Sequence, residues 1–273
     1  MKHILVVSIS LLMFSHSSWS AETLIQDAFE MEAERIREGE LPGGWKIFTR
    51  TPGWSAGILP RPWRDPESKP SLVIDSLGEA DSNDEAVAIP GWLFLGQEMP
   101  PITKEGLLTW SFSVRASNIS PSEGMGVGSS QFPGAAAVIL AADNAMLDEE
   151  GSGVALAILP GREIALIAFT NGLRGEHTLL AVLEESDLER QSIADFFHFE
   201  IQYQTQSGQW TIRARNDGPE RFEEHEALSL SRMGTGANQK LEPSMRWTGF
   251  YCQSDSRSLL TIDTFQVTFE DKP

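Results

Sequence analysis

The chain has 273 residues, a single cysteine and a formal charge of −18. That acidity excludes nucleic acid and anionic membrane surfaces as partners, and it leaves neutral or cationic ligands. One cysteine, Cys252, excludes an internal disulfide, so a packed core must supply the stability.

Residues 1–20 read as a secretory signal peptide. Lys2 and His3 start it, an apolar run follows over 4–14, and Ser18 and Ser20 give small residues for a cut after Ser20. The apolar run is too short to span a bilayer, and no later run is long enough, so no membrane insertion is expected. The expectation is a secreted or periplasmic protein with one domain over residues 21–273. Loss of Lys2 takes its charge from −18 to about −19.

Residues 24–30 (LIQDAFE) predict a first strand. The charged stretch 31–40 predicts a short helix or an exposed turn. Leu41-Pro42-Gly43-Gly44 breaks the chain before a strand at 45–50. Prolines and glycines crowd residues 51–70, which predicts a long loop without ladder pairing. A short strand at 71–75, an acidic turn at 79–85 and an apolar stretch at 86–95, broken at Pro90-Gly91, come next. Residues 107–115 alternate: Leu108, Trp110, Phe112 and Val114 point inward, while Thr109, Ser111, Ser113 and Arg115 point outward. A Ser- and Gly-rich loop at 118–134 leads to a strand of small apolar residues at 135–142.

Residues 154–170 predict a hairpin about Pro160-Gly161. It is apolar on both parities, as are residues 178–183. Such strands are buried on both faces or lie against another chain, so the strands bounded by Val154 and Phe169 are the expected oligomer contact. Residues 196–215 carry the clearest pattern. Phe197, Phe199, Ile201 and Tyr203 fall on one parity, and His198, Glu200, Gln202 and Gln204 on the other. After a Ser207-Gly208 turn, Trp210, Ile212 and Ala214 alternate with Thr211, Arg213 and Arg215, which makes a hairpin with one wet face. Residues 226–231 predict an edge strand, and 246–253 a further strand that buries Cys252. In the last strand, 259–269, Leu260 and Ile262 are even but Phe265, Val267 and Phe269 are odd. One extra residue restores the face, so a β-bulge is predicted near Asp263-Thr264. The sum is an all-β chain: one two-sheet antiparallel β-sandwich.

The opening LIQDAFE with its Trp strand, the late hairpin with its Gly-containing turn before Trp210, and the closing GFYCQSDSRSLLTIDTFQVTFE together resemble the concanavalin A-like lectin/glucanase superfamily, including laminin-G-like jelly-roll domains of secreted bacterial proteins. The resemblance implies a jelly roll whose first and last strands are neighbours. Members bind glycans, hydrolyse them, cleave them by elimination or mediate contacts, so the fold alone does not choose among these activities.

The glycosidases of that superfamily set acidic residues at alternate positions of one strand, which places the carboxylates side by side. The late hairpin does not supply that spacing: Glu200 is flanked by His198 and Gln202. The Gln-x-His strand of the fold's lyases is also missing, and no HExxH motif occurs. The acidic stretch 223–226, with His225, reads as a solvated turn. Two sets of ligand contacts are expected. Trp54 and Trp63, with Arg61 and Arg64, form a candidate stacking platform for a glycan in the Pro-rich loop. His198, Glu200 and Gln202 form a candidate polar stripe. If the first and last strands pair, as the resemblance implies, Asp27 and Asp263 offer oxygens for a structural calcium; no other cofactor is expected. The leading reading is a secreted non-catalytic carbohydrate-binding or adhesion module. The alternatives are an envelope structural or assembly protein, and an unrecognised glycoside hydrolase or polysaccharide lyase.

Overall fold

The computed structural model describes residues 21–31, 33–50, 54–59, 70–75, 91–117, 136–147, 150–158, 164–183, 196–218, 232–235, 239–254 and 259–271. The strands are β1 (Ala21–Asp27), β2 (Ala33–Ile36), β3 (Gly39–Leu41), β4 (Trp45–Phe48), β5 (Ser55–Leu59), β6 (Ser71–Asp75), β7 (Gly91–Glu98), β8 (Gly106–Ser117) and β9 (Ala136–Ala142). They continue with β10 (Ser152–Ile158), β11 (Ile164–Thr170), β12 (Glu176–Leu183), β13 (Phe196–Gln204), β14 (Gln209–Gly218), β15 (Arg232–Thr235), β16 (Trp247–Ser254) and β17 (Leu259–Asp271). Among the described residues the only helical element is one 3-10 turn at Pro42–Gly44.

The strands form a 9-stranded and an 8-stranded antiparallel sheet. The first runs β15-β14-β13-β8-β17-β6-β5-β2, with β1 also on β17. The second runs β12-β11-β10-β9-β16-β7-β4-β3. Every β1 partner lies in β17, so the first and last strands are neighbours. Strands adjacent in space but distant in sequence, such as β8 with β17 and β9 with β16, give the jelly-roll wiring of a sandwich.

Period-two alternation builds the core between the sheets. Trp110, Phe112, Phe199, Ile201, Tyr203, Trp210 and Ile212 of the first sheet face Leu93, Leu95, Val138, Leu156, Leu166 and Phe250 of the second in one buried cluster. Trp45 bridges them, with ring centroids 5.5 Å from Phe250 and 5.4 Å from Phe265. The β13–β14 hairpin pairs Tyr203 with Trp210 and Gln204 with Gln209. Gly208 closes its turn at φ +74, where a side chain would be strained.

The predicted bulge is present: the register of β17 against β8 shifts between Ile262 and Thr264. Leu260, Ile262, Phe265, Val267 and Phe269 all reach the core because of it. Of the strands apolar on both parities, β10 and β11 are buried on both faces within one chain, while Leu179 of β12 is 55% exposed. Val154, Leu156, Ile164 and Leu166 enter the inter-sheet core. Ala155, Ala157, Ala165, Ile167 and Phe169 join Trp92, Phe94, Ile139 and Tyr251 in a second buried cluster on the outward face of the second sheet.

Two expectations need correction. The charged stretch 31–40 is neither helix nor turn: it supplies β2, and β3 starts within it, on the edges of the two sheets. The Pro-rich stretch 51–70 contains β5, paired on both sides. Gly57 permits this, because a Cβ there would lie 3.0 Å from the backbone of Arg35.

Candidate functional site

The hairpin β13–β14 and its neighbours β8 and β17 lay out a polar outward face. The register places His198 between Ser113 and Arg215, Glu200 between Ser111 and Arg213, and Gln202 between Thr109 and Thr211. Across β8 the rows continue to Thr264, Gln266 and Thr268. Three successive outward positions on four adjacent strands therefore carry only hydrogen-bonding side chains. Alternation demands this: the intervening residues fill the core, and the bulge in β17 keeps Thr264, Gln266 and Thr268 outward.

The rows differ in exposure. Ser113, His198 and Arg215 are buried, while the side chains of the Glu200 and Gln202 rows are half-buried. Glu200 is the electrostatic centre of the open part. Its Oε1 accepts from Arg213 Nη1 at 3.2 Å and from Gln202 Nε2 at 3.0 Å. These two donors fix the orientation of its side chain.

His198, expected on the wet stripe, is only 8% exposed. Its Nδ1 is hydrogen-bonded to Ser113 Oγ at 2.9 Å and its Nε2 to Ser111 Oγ at 3.3 Å. The ring is clamped between two serines of β8 and is not an open contact. Arg215 Nε donates to Asp217 Oδ1 at 2.6 Å, and both side chains are buried.

Of the expected tryptophan platform, only Trp54 is among the described residues, and it is not an open contact. Trp54 is 0% exposed. It shares the parity of Ala56 and Ile58 in and before β5, so the alternation that points those residues into the core takes Trp54 with them. Arg61, Trp63 and Arg64 lie outside the described residues.

Asp27 has a local duty. Its Oδ1 accepts from the Phe29 backbone N–H at 2.7 Å and its Oδ2 from Trp45 Nε1 at 2.7 Å. Gly43 packs against that carboxylate: a Cβ there would lie 2.3 Å from Oδ2. Asp263 is buried in the bulge and accepts from Ser71 Oγ at 3.3 Å. Each oxygen of Asp27 thus already accepts one hydrogen bond from the protein. Among the described residues no group of three or more His, Cys, Asp or Glu side chains converges. Asp27 and Asp263 are thus occupied by protein donors, Asp27 by Phe29 and Trp45 and Asp263 by Ser71.

Sequence reasoning missed a cleft of about 270 Å³ at one end of the sandwich. Three segments meet there: the approach to β8, the β13–β14 turn and the approach to β16. Met99, Leu108 and Tyr203 form its buried floor. The Tyr203 hydroxyl accepts from the Leu241 N–H at 3.0 Å. Burial raises the Tyr203 pKa above its ordinary value; the Leu241 hydrogen bond opposes the rise, and the Glu242 carboxylate adds to it. On the rim, Lys104 Nζ pairs with Asp271 Oδ2 at 2.9 Å. No local motif marks this cleft, because its segments, around residues 99–108, 203–206 and 240–245, are separate in sequence and meet only through strand order.

No protein-family model and no curated protein matches the chain. Among solved structures it is similar to legume lectins, which share the concanavalin A-like fold that its sequence resembles. Winged bean acidic lectin, complexed with methyl-alpha-D-galactose, is 8% identical with a TM-score of 0.49, over 93% of this chain and 100% of that one. Peanut lectin with a 9mer peptide is 10% identical with a TM-score of 0.48, over 88% and 97%. The Lotus tetragonolobus seed lectin is 10% identical with a TM-score of 0.46, over 89% and 100%. At these values the likeness carries no argument about a ligand, and the fold rests on the strand pairings themselves.

Proposed function

We propose that the protein is a secreted or periplasmic carbohydrate-binding or adhesion module without a catalytic role. The observation that carries this reading is the in-register polar face of β14, β13, β8 and β17. Its open rows offer a carboxylate, amides, a guanidinium and hydroxyls on a rigid sheet. Sugar hydroxyls donate and accept at once, and such a mixed, pre-positioned set answers both demands without reordering. Glu200 supports a binding role rather than an acid–base one. It stands alone on β13 and is tied to Arg213 and Gln202, with no second carboxylate at alternate spacing on that strand.

The test is a glycan array followed by calorimetry on the best ligand. Glu200→Ala combined with Gln202→Ala is expected to weaken binding about tenfold or more, which corresponds to about 1.4 kcal/mol. Circular dichroism should report an unchanged fold for the double variant. Binding to no glycan, or binding that the double variant leaves intact, removes the reading. Release of shortened oligosaccharides from a bound glycan would replace it with the hydrolase or lyase alternative.

A further inference from the structure

The end cleft is built as a ligand site and is separate from the polar face. Its walls are joined across segments by hydrogen bonds from backbone N–H groups. Met99 N–H donates to Arg246 O at 2.7 Å, Gln239 N–H to Gly208 O at 3.0 Å, and Gly106 N–H to Thr205 Oγ1 at 2.9 Å. With Leu241 N–H held by Tyr203, all three segments are fixed before anything binds. A preformed cleft of about 270 Å³ is close to the lower end of small-ligand sites, about 300 Å³, and admits a compact molecule.

The lining sets the chemistry. The floor is aliphatic and thioether surface, from Met99, Ile102, Leu108 and Met245, with the ring of Tyr203. Such a floor takes methylene groups or the apolar face of a ring. On the rim the four charges are unequal. Lys104 is neutralised by Asp271. Glu105 and Glu242, on separate segments, have no ion-pair partner among the described residues, and Lys240 is the remaining cation. The cleft therefore presents two uncommitted carboxylates against one uncommitted ammonium. The field of Glu242 reaches inward to the Tyr203 phenol. The chain's charge of −18 draws cations toward the same rim.

We propose that this cleft binds a primary ammonium carried on a compact, partly apolar body. The ammonium lies against Glu105 and Glu242, the body rests on Met99, Ile102 and Met245, and Lys240 donates to a neighbouring hydroxyl where the ligand has one. An amino sugar and an alkyl amine of the lysine side-chain type both have this chemistry. The proposal needs none of the polar rows of the sheet, so it stands or falls independently of the glycan-binding reading.

The experiment is NMR titration of the full chain with labelled methionine methyls, using glucosamine, N-acetylglucosamine and 1,5-diaminopentane as probes. Saturable shifts at the Met99 and Met245 methyls with an amine probe are expected. The acetylated sugar, which lacks the ammonium, should bind about threefold to tenfold more weakly, since its contacts with two solvated carboxylates are lost. Glu105→Gln with Glu242→Gln should weaken the amine probe by about the same factor. Both side chains are exposed, so the variant keeps the fold. Shifts with glucosamine alone assign the site to amino sugars, and shifts with the diamine alone assign it to alkyl amines; either result supports the proposal. No shift at either methyl, equal binding of the acetylated sugar, or an unaffected double variant overturns it.

Discussion

The two outward faces of the sandwich are opposites made by the same alternation. On the first sheet, Thr109, Ser111, Glu200, Gln202, Thr211 and Arg213 stand outward in rows, and every one is a hydrogen-bonding group. On the second sheet the outward positions are Trp92, Phe94, Ile139, Ile167, Phe169 and Tyr251, and these are as buried as the inter-sheet core. The first sheet is thus a wall with one dry side, and the second is dry on both. Among the described residues, the candidate recognition surfaces are the outward face of the first sheet and the end of the sandwich where the cleft opens.

The largest effect that breaks or sustains this contrast comes from truncating one residue on each face. Phe94 is fully buried and its ring is 5.9 Å from that of Phe48. Phe94→Ala is expected to cost about 3–5 kcal/mol in urea denaturation, as for other buried aromatic deletions. Thr109→Ala, on the polar face, should stay within about 1 kcal/mol. If the two costs came out equal, the outward face of the second sheet would not be a core, and the contrast would fail.

Much of this was legible in the sequence. The parity of 196–215 assigned Phe199, Ile201, Tyr203, Trp210 and Ile212 to the core, where they lie. The parity slip between Ile262 and Phe265 located the bulge within a residue, because the side-chain period is two and a slip has no other cheap repair. What failed was context. Ala33–Ile36 reads as helix or turn by local propensity, but edge pairing with β5 overrides it. Trp54 follows Pro52 and Gly53 and so looks like a loop residue, although its parity with Ala56 and Ile58 points inward. His198 had the right parity for the polar face, yet nothing local distinguishes its buried row from the open rows of Glu200 and Gln202. The cleft depends on three remote segments, and no period along the chain encodes such a meeting.

Between the two faces lies Cys252, on β16, and its titration probes the shared core. Burial, with a smaller contribution from the Asp75 carboxylate, pushes its thiol from 9.0 up to about 12. Below pH 9.0 the thiol is protonated in both folded and unfolded chains, and its contribution to stability is fully present. Between 9.0 and about 12 the unfolded chain loses the proton while the folded one keeps it, so stability falls as pH rises. Relative to Cys252→Ala, the wild type should lose up to about 4 kcal/mol by the top of that window. Parallel pH profiles for the two proteins would mean that Cys252 is not sealed in the core. The same burial predicts that the native thiol does not react with a thiol reagent at neutral pH.

The smallest effect tests the polar face itself. Glu200 and Arg213 are 27% and 40% exposed at the side chain, so water screens their 3.2 Å contact. A double-mutant cycle with Glu200→Ala and Arg213→Ala is expected to give a coupling below about 1 kcal/mol, shrinking further at high salt. The loss of glycan affinity in Glu200→Ala should exceed this stability term, because the carboxylate then acts on the ligand and not on the fold. A coupling of several kcal/mol, with glycan affinity unchanged, would make the Glu200 row a structural brace like Arg215 and Asp217 in the buried row beyond it. The polar face would then resemble the second sheet's outward face in purpose, each serving the fold, and recognition would pass to the end cleft alone.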